Sequence, residues 1–204
     1  MIALIDYEMG NVQSVLNAFS LLGQDIKVTR SREEIEKADA LVLPGVGAFG
    51  DAMQKLTAFG LHRILNEEVL NKKKPFLGIC LGMQLLAEEG QELGLHTGLG
   101  WVKGKTVKIA PSDPFLKIPH MGWNTLEINN FEGLYKDMPG NPVCYFVHSY
   151  ALEPEDKNLI TATTPYGQDI AASVQKDNIY GVQFHPEKSQ GAGLKILENF
   201  ISLC

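Results

Sequence analysis

The stretch Lys74-Pro75-Phe76-Leu77-Gly78-Ile79-Cys80-Leu81-Gly82-Met83-Gln84-Leu85-Leu86 decides how the chain is read. Phe76 to Ile79 is a short apolar run bounded by a proline, the pattern of a buried strand. A helix starts near Leu81, so the chain turns abruptly at Cys80. Gly78 and Gly82 stand two residues to either side of that turn. A strand running straight into a helix crowds its own backbone, and residues without a Cβ relieve the crowding. This is the layout of a nucleophile elbow, with cysteine in the place of serine. A thiol there sits at a helix N-terminus, whose dipole and free N–H groups favour the thiolate. The N–H of Leu81 points to where an oxyanion would form. The competing reading is a small core residue, since free cysteine is among the most buried residue types.

Upstream, the chain alternates strand and helix. Ile2 to Ile5 is an apolar strand, and Asp6 to Gly10 a loop. Asn11 to Leu22 carries Val12, Val15, Leu16, Phe19 and Leu22 at helical spacing, with Gly23 as a stop. Ile26 to Thr29 is a second strand, and Ser31-Arg32-Glu33-Glu34 a capping box opening a short helix. Ala40 to Leu43 is a third strand, followed by helical segments near Asp51 to Leu56 and Leu61 to Leu70. This order predicts an α/β fold with a mostly parallel, doubly wound sheet. In such sheets the site lies beyond the carboxyl ends of the strands, where the loops after strands one, three and four converge.

After Gly100 the pattern becomes strand-rich. Val102 to Ile109 reads as an exposed strand. Leu126 to Ile128, Val143 to Val147, Ile170 to Val174 and Ile179 to Phe184 are further candidates, part of them antiparallel. Ser189 to Leu203 closes as an amphipathic helix with Leu194, Leu197, Phe200 and Ile201 on one face. No repeat or linker interrupts residues 1–204, so one domain is expected.

The totals exclude some classes. A net charge of −6 argues against nucleic acid or an anionic membrane as the main partner. No apolar run approaches the length of a membrane span. Cys80, Cys144 and Cys204 are too few and too widely spaced for a disulfide framework or a zinc site, and suit a reducing, cytoplasmic compartment. No metal and no cofactor is implied.

A cysteine nucleophile needs a base, and the base an orienting group. Phe184-His185-Pro186-Glu187 follows a strand. In extended backbone residues i and i+2 face the same way, which puts His185 beside Glu187. A carboxylate there holds one imidazole tautomer and stabilises the imidazolium. A turn histidine beside a surface acid is the plainer alternative. His62 and His96 read as ordinary surface residues, and His120 and His148 as interface or pocket residues. Leu43-Pro44-Gly45-Val46-Gly47-Ala48 lacks the Lys-Ser/Thr of a phosphate loop. It suits a second oxyanion donor, although a structural turn explains it equally well.

Together, Pro44-Gly45-Val46-Gly47, Gly78 to Gln84 and His185-Pro186-Glu187 resemble the three signature segments of the class I glutamine amidotransferases, in the same order and spacing. The resemblance covers nearly the whole chain. It implies glutamine hydrolysis with Cys80 as nucleophile, His185 as acid and base, and Glu187 as the orienting carboxylate. It places oxyanion donors at Leu81 and the Val46-Gly47 turn, and glutamine contacts at Gly45, Gln84, Ser149 and Tyr150. An esterase or peptidase on the same elbow is the rival from another class.

A finer resemblance rests on Lys117-Ile118-Pro119-His120-Met121-Gly122-Trp123-Asn124, an apolar loop rich in the residue types that anchor interfaces. It is similar to the glutaminase subunits of imidazole glycerol phosphate synthases, as are Tyr145 to Tyr150, the opening Ile5-Asp6-Tyr7 with Met9-Gly10-Asn11, and Glu187-Lys188-Ser189. That implies a heterodimer with a (β/α)₈-barrel cyclase subunit, ammonia passing between the two, with Asn11, Met121, Trp123, Asn124 and Lys188 at the interface. The other members of the class, serving anthranilate, guanylate or pyridoxal phosphate synthesis, are the nearest rivals. Glu8 departs from the pattern, standing where glycine is expected.

Overall fold

A computed structural model describes residues 1–204. The chain opens with β1 (Ile2–Ile5), α1 (Val12–Leu21), β2 (Ile26–Thr29), α2 (Arg32–Lys37), β3 (Ala40–Leu43), α3 (Phe49–Ala58), α4 (Leu61–Asn66), β4 (Phe76–Ile79) and α5 (Leu81–Gln84). Two short strands follow, β5 (Glu89–Gly90) and β6 (His96–Thr97). Then come β7 (Gly104–Lys108), β8 (His120–Thr125), β9 (Glu127–Ile128), β10 (Val143–His148), β11 (Tyr150–Pro154), β12 (Ile160–Pro165), β13 (Asp169–Lys176), β14 (Ile179–Val182) and α6 (Gln190–Ile201).

The main sheet has the order β2-β1-β3-β4-β14-β13-β12-β9. Its β2 to β14 half is parallel, and the β14 to β9 half antiparallel. β1, β3, β4 and β14 are buried along their whole length, the behaviour of parallel strands covered on both faces. Two apolar clusters of similar size fill the two sides. One holds Phe49, Leu56, Phe76 and Trp101, the other Phe19, Phe146, Phe184 and Phe200. No helix is long and apolar enough to cross a membrane.

Several local expectations need correction. Ser31 stands at the α2 N-cap but makes no side-chain cap bond, and Glu34, the other half of the box, pairs with Lys27 at 2.6 Å. Residues 102–109 are not an exposed strand: Val102, Thr106 and Ile109 are buried. The helix read over 61–70 ends at Asn66 and continues as a π-helical turn, Glu67–Asn71. Residues 120–124, expected in a loop, lie in β8, which pairs antiparallel with β10 in a separate two-stranded sheet. His62 and His96 are half-buried, not surface residues.

Candidate active site

The loops after β1, β3, β4 and β14 meet beyond the carboxyl ends of the parallel strands. Cys80 ends β4 with φ +54° and ψ −108°. Positive φ is uncommon for a non-glycine residue, and such strain persists only where the surroundings fix it. Here Cys80 N–H donates to Val182 O at 2.8 Å, and its carbonyl accepts from Met83 N–H at 3.0 Å. The two flanking glycines are required by close approach. A Cβ on Gly82 would stand 1.9 Å from Leu43 O, and one on Gly78 2.5 Å from Gly82 O. The helix behind the elbow is shorter than the sequence suggests. α5 has only four residues, so little macrodipole builds up, and support for a thiolate falls to nearby side chains.

Those side chains come from the segment after β14. His185 Nδ1 lies 2.7 Å from Glu187 Oε1, with both side chains almost fully buried. The backbone between them is not extended: Pro186–Lys188 form a 3₁₀ turn, which brings the two side chains together by another route. The His185 backbone is pinned, its N–H donating to Tyr145 O at 2.9 Å and its carbonyl accepting from Ser189 Oγ at 2.6 Å. Nε2 of His185 is buried without an aligned hydrogen-bond partner. Burial pulls the His185 pKa down, but the nearby Cys80 thiol and the Glu187 carboxylate outweigh it and push it up to about 9. The site therefore favours an imidazolium beside the Cys80 sulfur.

Gln183, two residues before His185, carries no local signal in the sequence. It is fully buried, and its Nε2 points at Cys80 Sγ, 3.6 Å away. Its Oε1 accepts from Gln84 Nε2 at 3.1 Å, which also donates to Tyr150 O at 2.8 Å. The Gln84 amide thus ties α5 to β11. His148 Nδ1 donates to the same Tyr150 carbonyl at 2.9 Å, and His148 Nε2 accepts from His120 Nδ1 at 3.0 Å. Burial lowers both imidazole pKa values to about 4, so the pair is neutral.

A cavity of about 480 Å³ opens over Cys80. Its walls include Val46, Gly47, Leu81, Gln84, Ser149 and Tyr150, and also Pro119, Val147, His148 and Glu92. Nothing local in the sequence marks Glu92, a half-buried glutamate in a polar loop. Its Oε2 accepts from Phe49 N–H at 2.8 Å, capping the first turn of α3 beside the cavity. Gly45 does not line the cavity. It is buried behind the loop, wedged between Tyr7 and Leu81.

The N–H groups expected to serve as oxyanion donors do not converge on the cavity. Leu81 N–H is directed at the Gly45 carbonyl, 3.4 Å away. The Val46 and Gly47 N–H groups donate to no protein atom, and Val46 is 43% exposed. The first loop packs on this turn: a Cβ on Gly47 would stand 2.9 Å from Met9 Cε. Glu8 adopts φ +64°, the left-handed backbone that glycine usually supplies. It is held there by Arg30 at 3.1 Å and Lys55 at 3.3 Å, so the loop keeps a glycine-like shape without the glycine.

The family model for class I glutamine amidotransferases matches residues 3–203. The chain belongs to the class I glutamine amidotransferases. It is 49% identical, over 98% of its length and 94% of the relative's, to the imidazole glycerol phosphate synthase subunit HisH of Zymomonas mobilis. It is 50% identical to a HisH 1 subunit of Campylobacter jejuni, with both chains covered fully. Among solved structures, a glutamine amidotransferase superposes with a TM-score of 0.77 at 20% identity, covering 100% of this chain and 98% of that one. The PurLQS structure from Thermotoga maritima gives 0.75 at 15%, covering 99% and 97%. These two show the same fold.

Beside the cavity mouth this amidotransferase exposes an apolar face. β8 and β10 pair so that Trp123 faces Tyr145 and Met121 faces Val147. Met121 is 62% and Trp123 49% exposed. Lys188 Nζ lies over the Tyr145 ring at 5.8 Å, and Trp123 meets it edge-on at 5.9 Å. Asn11 is exposed at the α1 N-cap, where its side chain accepts from Ser14 N–H. Asn124 differs from these. Alternation turns it to the other face of β8, where its amide donates to Pro165 O at 2.8 Å and to His120 Nε2 at 3.2 Å. There it ties β8 to the end of β12.

Proposed function

We propose that the 204 residues form one amidotransferase domain that acts as the glutaminase subunit of an imidazole glycerol phosphate synthase, supplying ammonia for histidine biosynthesis. The observation that carries the chemistry is His185, oriented at Nδ1 by Glu187 at 2.7 Å and raised to a pKa of about 9 beside Cys80. Near-50% identity to HisH subunits along the full chain supports the pathway.

In this reading the Cys80 thiolate attacks the side-chain amide carbon of glutamine. The His185 imidazolium donates its proton to the leaving nitrogen, which departs as ammonia. His185, now neutral, takes a proton from water, which attacks the thioester and releases glutamate. Glu187 stabilises the imidazolium in both half-reactions. Glu92, the carboxylate at the cavity wall, suits the substrate α-ammonium, and the polar Ser149–Tyr150 edge faces the same space. Both tetrahedral intermediates need N–H donors, a role that Leu81 and the Val46-Gly47 turn take in this reading. The Gly45 carbonyl has to leave Leu81 N–H before that donor is free to act. Glutaminase activity is then low in the resting chain and rises when the loop rearranges.

The partner in this reading is a (β/α)₈-barrel cyclase, forming a heterodimer in the cytoplasm. Met121, Trp123, Tyr145 and Lys188 supply an aromatic and cationic docking face of the composition interfaces favour, next to the cavity from which ammonia leaves. The test is glutamate release with and without a cyclase partner plus its nucleotide, with Cys80→Ala as control. Loss in the mutant and stimulation by the cyclase are expected. Hydrolysis independent of Cys80 would overturn the chemistry, and indifference to the cyclase would overturn the pathway.

A further inference from the structure

Behind the oxyanion loop lies a hydroxyl with nothing to bond to. Tyr7, two residues past β1, is 1% exposed and packed into the core with Phe49 and Leu81. Its Oη is buried and has no hydrogen-bond partner among the protein atoms. Buried tyrosine hydroxyls usually find a partner, and an orphan calls for an explanation. Burial drives the phenol pKa far upward, so the group remains a protonated donor.

The group beside it is Gly45. A Cβ on Gly45 would stand 2.3 Å from Tyr7 Oη and 2.9 Å from Leu81 Cβ. Gly45 is thus sandwiched between the phenol and the elbow. Its carbonyl is turned toward Leu81 N–H over a long 3.4 Å. The residue after it, Val46, is exposed, and its N–H is bonded to nothing in the protein. One peptide unit therefore joins a weakly held buried carbonyl to a free N–H, with an unused donor against the α-carbon.

We infer that Tyr7 is a positioning residue whose hydroxyl captures the Gly45 carbonyl when the Gly45–Val46 peptide rotates for catalysis. This rests on the glutaminase reading and adds to it the group that holds the loop in its donating state. In the resting arrangement Leu81 N–H is spent on Gly45 O, and Tyr7 Oη is unpaired. After rotation Tyr7 Oη donates to Gly45 O, Leu81 N–H is released to the oxyanion, and Val46 N–H turns inward as the second donor. Hydrogen bonds within the chain are conserved in number, and the orphan disappears. A peptide so placed rotates without leaving a buried carbonyl unpaired, which otherwise opposes the motion.

Tyr7→Phe removes one oxygen and keeps the ring, so the core stays filled. In complex with a cyclase partner plus its nucleotide, the variant is expected to lose about tenfold in the ratio of stimulated to unstimulated glutaminase. The loss falls on kcat, with KM within about twofold and an unlowered melting temperature. A direct readout uses protein labelled with ¹³C at the tyrosine ζ-carbon, the Tyr7 signal being assigned by its loss in Tyr7→Phe. Treating the complex with a chloroketone analogue of glutamine, which alkylates Cys80, is expected to move that signal as the phenol becomes a donor. An unchanged stimulation ratio, or a Tyr7 signal that stays put in the alkylated complex, overturns the inference. If the wild type neither releases glutamate nor is alkylated at Cys80, the glutaminase reading itself fails, and the inference falls with it.

Discussion

The elbow around Cys80 and the loop from Pro44 to Ala48 border the same cavity, and they are built in opposite ways. The elbow is locked. Cys80 is 5% exposed, its backbone is strained and bonded at both ends, and neither flanking glycine has room for a methyl group. The loop is open, with Val46 exposed, two unspent N–H groups and a carbonyl turned to the wrong side. Folding alone sets Cys80 and His185 in place, whereas the N–H groups proposed as oxyanion donors are left unspent or turned onto a carbonyl. Such a division suits an enzyme whose ammonia is to be released only when a consumer is ready.

The largest effect that tests this division is on the locked side. Cys80→Ala is expected to lower glutamine hydrolysis by roughly 10⁴-fold or more, with the melting temperature within a few degrees of wild type; residual turnover of a tenth would contradict it. Glu187→Gln leaves His185 with a neutral neighbour and is expected to cost on the order of 10²–10⁴-fold in kcat. The alkaline limb of its pH profile, which the wild type places near pH 9 from the His185 value, moves to lower pH. An unmoved limb would separate Glu187 from His185. Gly82→Ala drives a methyl into the Leu43 carbonyl and is expected to destabilise the fold by about 3 kcal/mol in chemical denaturation. A neutral result would mean the elbow is looser than its contacts imply.

Two smaller effects sharpen the other side. Trp123→Ala on the exposed β8–β10 face is expected to leave stability within about 0.5 kcal/mol while weakening cyclase binding at least roughly tenfold in a titration. Unchanged affinity would place the docking face elsewhere. The smallest concerns His185, whose folded pKa is raised above the ordinary 6.5 to about 9. Its contribution to stability is complete below 6.5 and disappears as pH rises through 9. The difference in melting temperature between wild type and His185→Gln should therefore shrink by a few degrees over that range. A constant difference would contradict the ion pair.

The sequence shows the locked region far better than the open one, for a physical reason. Gly78, Cys80 and Gly82 are spaced by contacts within one turn, and β1, β3 and β4 are buried on both faces, so their apolar runs are plain. His185 and Glu187 are also local, although Pro186 suits a 3₁₀ turn as well as an extended strand, and the turn is what forms. Harder to read are features made by distant partners. β8 hides as a loop because its inner face carries His120, Gly122 and Asn124 in place of aliphatic residues, and only pairing with β10 reveals it. Gln183 meets Gln84 across 99 residues and Glu92 meets Phe49 across 43, contacts no local pattern announces. The resting direction of the Gly45 carbonyl is a property of one peptide plane, invisible in residue identity.

The contrast between elbow and loop is tested by the rate of glutamate release from glutamine by the purified chain, alone and then with a cyclase partner plus its nucleotide. A preformed nucleophile with unassembled oxyanion donors predicts slow release alone and stimulation of about 10²-fold or more, the worth of an oxyanion donor. Full activity in the isolated chain, unchanged by the cyclase, would mean that the loop is already competent and that the contrast between the two regions has no functional weight.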